Sequence, residues 1–186
     1  MRTSTTDQKH AFDLIMKMLA IPGKSGEEAM IVGFIRKQLR SAGVPASAIH
    51  TDKAHKKSRY GGQIGNLIVK LSGKGAIARA PRRMLSAHVD TVPICHGCKP
   101  IKRGGWIHSV DPDTGLGADN RSGAAAILTA LLEIKRQKLD HPPLTLLFPV
   151  QEEVGLVGAS HVSAAALGNP KLAFNFDGGS PEKLTI

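Results

Sequence analysis

The 186-residue sequence is long enough to bury a core and fits a single domain. At 41% hydrophobic and 22% charged it has an ordinary globular composition, which gives no ground for wholesale disorder or a coiled coil, and no apolar stretch approaches the roughly 20 residues of a bilayer crossing. The net charge of +10 raises the question of nucleic acid, but the cations are spread along the chain apart from Lys53–Arg59 and Arg79–Arg83, and aromatics are only 4%, so neither nucleic acid nor membrane is the expected partner.

The spacing of Ala11, Leu14, Ile15, Met18 and Leu19 predicts a helix over 7–20, ended by Pro22 and Gly23. Ser25 and Glu28, three residues apart, read as a capping box that opens a second helix with Ile31, Val32, Ile35 and Leu39 inward. Residues 45–62 are polar and basic and read as loop or weak structure. Strands are expected over 66–71 and 83–87, separated by a Gly-, Lys- and Pro-containing connection. Gly104-Gly105-Trp106-Ile107 reads as a turn and short strand. A third helix is expected over 121–138, packing Ala124, Ile127, Leu128, Leu131 and Ile134. Pro142-Pro143 precedes an apolar strand over 144–150. An Ala-rich helix over 159–167 and a strand over 171–176 complete the pattern. Helices alternating with short apolar strands predict an α/β layer sandwich with an at least partly parallel sheet.

The residues that carry chemistry recur at equivalent places in this pattern. One predicted strand runs into His88-Val89-Asp90, another into Glu152-Glu153, and a third into Asp177-Gly178-Gly179. Asp119 sits just before the third helix. Open α/β sheets bind ligands beyond the carboxyl ends of their strands, so these distant groups become neighbours. Carboxylates gathered in that way repel one another unless a cation lies between them. One histidine with several carboxylates suits zinc, cobalt or manganese. His88 is the natural first ligand, and Asp90 is placed to accept a hydrogen bond from its other ring nitrogen. Each signal is weak alone, since Asp before a helix is commonly a cap and Glu-Glu commonly a solvated turn. Their conjunction on one side of a sheet is the signal.

Four segments in order, His88-Val89-Asp90-Thr91-Val92-Pro93, Gly117-Ala118-Asp119-Asn120-Arg121-Ser122-Gly123, Glu152-Glu153-Val154-Gly155 with Gly158-Ala159, and Asp177-Gly178-Gly179, resemble the successive motifs of the co-catalytic two-zinc exopeptidase and deacylase family. The Asp-Gly-Gly segment is most similar to the peptidase T branch. The resemblance implies a three-layer α/β/α sandwich with a mixed, largely parallel sheet, two zinc ions (cobalt or manganese as alternatives) and a short peptide as substrate. It implies that Asp119 bridges the metals, that His88 and Asp177 bind one and Glu153 the other, and that Asp90 orients His88. Glu152 would be the general base, passing a proton from the attacking water to the leaving amine. Members often have a cis peptide after the bridging aspartate, here between Asp119 and Asn120.

Members of that family are considerably longer, with an inserted lid or dimerisation domain and a last histidine ligand. None of the eight histidines here lies beyond His161. The expectation is therefore the N-terminal portion of a catalytic domain, inactive alone, with an apolar edge that favours self-association into a homo-oligomer. A related deacylase or carboxypeptidase would carry the same motifs. A basic binding module or a scaffold subunit is the reading of another class. Cys95-His96-Gly97-Cys98 reads as a loop, two cysteines being too few for a disulfide framework, and Met1–His10 lacks the apolar centre of a secretory signal; the expected setting is cytoplasmic.

Overall fold

The computed structural model describes residues 5–178, 180, 182 and 183. Helix α1 (Thr5–Ala20) is followed by α2 (Ala29–Ser41), β1 (Ile49–Thr51) and β2 (Leu67–Leu71). Strand β3 (Arg83–Ser86) leads through a hairpin, β4 (Pro100–Arg103) and β5 (Trp106–Ser109), to helix α3 (Ala118–Arg136). Strand β6 (Leu144–Phe148), the single-turn α4 (Val157–Ser160) and β7 (Leu172–Asn175) follow. Gly104 and Gly105 turn the hairpin with φ of +55° and +89°, values glycine adopts without a Cβ penalty.

The main sheet has the order β1-β2-β6-β3-β7. Strand β2 is antiparallel to both neighbours, whereas β3 lies parallel to β6 and to β7, so four of the five strands run the same way. The register aligns Ser86 with Leu147 on one side and with Asn175 on the other. All three parallel strands therefore end at one rim.

Burial explains the layers. On one face Leu14 and Met18 of α1, Ile31, Val32, Ile35 and Leu39 of α2, and Ile127, Leu128 and Leu131 of α3 pack on Leu67, Val69, Leu146 and Phe148. The thinner layer opposite comprises α4 and the turns after it, where Leu167 and Val162 cover Ile68, Leu147 and Met84. Every residue of β6 is buried, including Thr145, whose hydroxyl donates to the Leu167 carbonyl at 2.8 Å. Strand β7 is exposed along its length. No helix among the described residues is long and apolar enough to cross a membrane.

Three local expectations are corrected or sharpened. The capping box does not form. Ser25 Oγ donates instead to Asp90 at 2.7 Å, and the Glu28 carboxylate accepts from the Gly26 and Gln151 N–H groups. Gly26, at φ +89°, turns the chain between the two would-be partners, and helical hydrogen bonding starts only from the Glu28 carbonyl. Secondly, the basic stretch 45–62, expected as loop or weak structure, resolves into β1 and two short 3-10 turns, because Ile49 and Ala54 find places in the interior. Finally, the Ala-rich helix is confined to Val157–Ser160. Beyond it only Leu167 is buried and Ala164–Ala166 are exposed, so no apolar stripe rewards continued helix.

The packing asymmetry predicts a contrast. Leu146→Ala, in the fully buried centre, should cost roughly 3 kcal/mol or more in urea unfolding, whereas Leu172→Ala on the exposed strand should cost under about 1 kcal/mol.

Candidate metal centre

After β3 the chain stays extended beside β6: the Ala87 and Val89 N–H groups donate to the Leu147 and Pro149 carbonyls at 3.3 and 3.1 Å. Ala87 and Val89 enter the core, which turns the alternate residues His88 and Asp90 to the other side. Both are almost fully buried, at 3% and 0% exposure. Glu152-Glu153 leaves the end of β6 and Asp177 the end of β7. Asp119 enters from α3, whose first residues depart from helical geometry: Asp119 and Asn120 have ψ of 109° and 40°, and their peptide is cis. Regular helix starts at Arg121, capped by the Asn120 side-chain oxygen, which accepts the Gly123 N–H at 3.1 Å. Gly123 lets this end press on β7, since a Cβ there would lie 2.2 Å from the Phe176 carbonyl oxygen.

These elements bring every predicted site residue to one rim. His88 Nε2 lies 3.1 Å from Asp119 Oδ1, 3.7 Å from Glu152 Oε2 and 4.0 Å from Asp177 Oδ2. His88, Asp119 and Glu153 each offer one donor atom within 4.8 Å of the others. The second ring nitrogen, Nδ1, is 3.2 Å from the Asp90 backbone carbonyl and 3.4 Å from its carboxylate. Either contact holds the proton on Nδ1 and frees Nε2 as a donor to a metal. The shorter one is to the backbone, which sequence reasoning did not anticipate. Asp90 has further duties: its carboxylate accepts the Glu152 and Glu153 N–H groups at 3.0 and 3.2 Å, besides Ser25.

Electrostatics match a cation-binding set. Burial raises the Glu152 and Glu153 carboxyls above the usual range; His88 pulls them down, and the neighbouring carboxylates add to the rise. Burial alone would depress His88, yet Asp90, then Glu152 and Asp177, carry it up to about 9. Asp90 is lowered: burial opposes this, but the bonds from His88, Ser25 and the Glu152 N–H prevail. The cluster thus holds protons where a divalent ion would release them. One imidazole with several oxygens fits zinc and its neighbours.

Sequence reasoning gave no role to Arg121 or Gln151, and it read Ser25 and Glu28 as a helix cap rather than as supports of the centre. Arg121 is 1% exposed and donates to the Met18, Ile21 and Gly23 carbonyls, tying the end of α1 to the start of α3. A clue existed, because Arg121 falls on the stripe formed by Ala124, Ala125 and Leu128. Two clefts lie away from this centre. One of about 540 Å³ sits among α1, α2 and α3, one of about 570 Å³ lies beside the β4–β5 hairpin, and no predicted site residue lines either.

A model of peptidase family M28 matches residues 66–185. Among curated relatives, the uncharacterized protein YqjE of Bacillus subtilis is 28% identical over 153 residues, covering 82% of this chain and 39% of that protein. Peptidase T of Edwardsiella ictaluri is 38% identical over 81 residues, 44% of this chain and 19% of that enzyme. Among solved structures, a Staphylococcus aureus tripeptidase superposes with a TM-score of 0.81 at 27% identity, covering 93% of this chain and 44% of that one. The aminopeptidase PepT of Bacillus cereus gives a TM-score of 0.82 with the same identity and coverage. The chain thus spans less than half the length of these relatives.

Glu28 lies behind the centre with no exposed surface, and burial lifts its carboxyl from 4.5 to about 7 against the pull of the Gly26 and Gln151 N–H groups. A carboxyl raised in the native state favours folding below its unfolded value and loses that advantage as pH rises through the folded one. Stability should therefore fall between pH 4.5 and 7 by up to roughly 3 kcal/mol from this residue. Urea midpoints of wild type and Glu28→Gln across that range will show it: the variant should lack this part of the slope.

Proposed function

The chain belongs to peptidase family M28, and from that premise we propose that its acidic rim serves metal-dependent hydrolysis of amide bonds in short peptides, of the aminopeptidase or tripeptidase type. The observation that carries the reading is His88 Nε2 facing Asp119, Glu152 and Asp177 within 4.0 Å, with Glu153 completing a donor triad. Likeness to a tripeptidase and an aminopeptidase at 27% identity supports the substrate class.

In this reading His88, Asp119, Glu153 and Asp177 would hold the divalent metal, zinc being the ion that one imidazole with several carboxylates suits. Metal held there would supply Lewis acidity to the scissile carbonyl and lower the pKa of water. Glu152 is the general base: its carboxylate takes a proton from the attacking water and delivers it to the departing amine. Its partial exposure, 26% of the side chain, leaves it open to a peptide. Asp90 positions both partners, fixing the His88 tautomer and gripping the Glu152 and Glu153 backbone. Free thiols at Cys95 and Cys98 are consistent with a cytoplasmic setting.

We assign this chain the N-terminal portion of the catalytic domain, and with it a share of the site, since it spans 44% of the tripeptidase it resembles. By itself the 186-residue polypeptide should cleave tripeptides poorly; brisk, chelator-sensitive cleavage by the purified chain would overturn that assignment. In any form of the protein that does turn over a tripeptide, Glu152→Gln should lower kcat by roughly a hundredfold or more. Its zinc content by elemental analysis should stay at the wild-type level. Unchanged turnover would remove Glu152 as the base.

A further inference from the structure

We propose that Glu28 is a positioning residue: by accepting the Gln151 N–H it holds the turn from which Glu152 and Glu153 project. The inference rests on the reading of that pair as base and ligand.

Three consecutive N–H groups leave the end of β6, and two buried carboxylates receive them all. Gln151 N–H goes to Glu28 Oε1 at 3.0 Å, Glu152 N–H to Asp90 Oδ1 at 3.0 Å, and Glu153 N–H to Asp90 Oδ2 at 3.2 Å. The turn needs such a grip. Gln151 is fully buried with φ +54°, a region that a non-glycine residue occupies at a cost of order 1 kcal/mol. Its other polar groups are engaged as well: Oε1 accepts from Ser58 Oγ at 2.5 Å, Nε2 donates to the Gly61 carbonyl at 2.7 Å, and its carbonyl accepts the Val157 N–H at 3.0 Å.

Glu28 is costly for its own helix. Burying a carboxyl is unfavourable unless something compensates. Its side chain makes no cap bond to α2, and Oε2 has no partner among the described residues. Its compensation comes from Gly26 N–H at 2.8 Å and from Gln151, 123 residues away. The long-range bond aligns a strand end with the loop before α2, and Ser25 on that same loop binds Asp90. One loop thus fixes both clamps. A glutamine at position 28 would keep the accepting oxygen, whereas alanine or aspartate would withdraw it.

The test uses the full chain and two readouts, amide hydrogen exchange of segment 150–156 and Co(II) titration followed by visible absorption. Glu28→Ala should speed exchange in that segment by about tenfold or more and weaken Co(II) binding by about tenfold. Glu28→Gln should restore both to within about threefold of wild type. Val32→Ala, a core control, should lower Tm without moving either. Should Glu28→Ala fail to fold, Glu28→Asp, which retracts the oxygens by one methylene, should show the same losses. Glu28→Ala or Glu28→Asp with local exchange unchanged, or Glu28→Gln behaving like Glu28→Ala, overturns the proposal. If wild type itself gives no Co(II) absorption, the metal reading falls, and exchange alone still decides the role of Glu28.

Discussion

Strands β6, β3 and β7 run parallel and in step, with Leu147, Ser86 and Asn175 side by side. Parallel pairing fixes where each strand stops relative to its neighbours, so whatever follows those stops emerges at one rim. His88 comes two residues after Ser86, Asp177 two after Asn175, and the Glu152-Glu153 pair a short turn after Phe148. Antiparallel pairing of β3 would have sent its histidine to the opposite end of the sheet, far from every carboxylate. The helix α3, returning from β3 to β6, brings its N-terminus and Asp119 to that same rim. The candidate centre is thus a consequence of strand direction before it is a matter of side-chain chemistry.

Gathering acids in this way is opposed by their mutual repulsion and by burial, and the fold answers with oriented donors. Asp90 stays ionised in the interior because backbone N–H groups, Ser25 and His88 converge on it. Arg121 supplies a buried positive charge, held by three carbonyls of the α1 end and its following turn, and itself lowered to about 10 by burial. Asp90 and Arg121 each join segments more than sixty residues apart. Removing one leaves another buried and unpaired, which is costlier than the loss of a single hydrogen bond. The support of the site and the stability of the fold therefore draw on the same contacts.

Much of the architecture was legible in advance because local rules and burial agree there. The helical stripe of Leu14 and Met18, the apolar runs of β2 and β6, and the breaker Pro142-Pro143 each speak for one conformation. The candidate site was legible through position: an acid or histidine just past each apolar run. Where local and tertiary demands diverged, local reading failed. Ser25 and Glu28 have capping-box spacing, but Asp90 and Gln151 are stronger claimants on their side chains. The stretch Ala159–Leu167 has helix propensity, yet it lies on the thin layer with one buried anchor. β1 hides in a basic segment because only Ile49 of its three residues is buried.

From the sequence alone came the class of fold, the order of the motifs and the residue types able to bind a divalent ion, since hydrophobic period and residue chemistry are local properties. Which oxygens face each ring nitrogen of His88, which backbone groups Asp90 grips and where the Glu28 and Arg121 side chains bond were decided only in three dimensions. Hydrogen-bond partners separated by a hundred residues leave no periodic trace in a chain; they exist once the sheet has set its strands side by side.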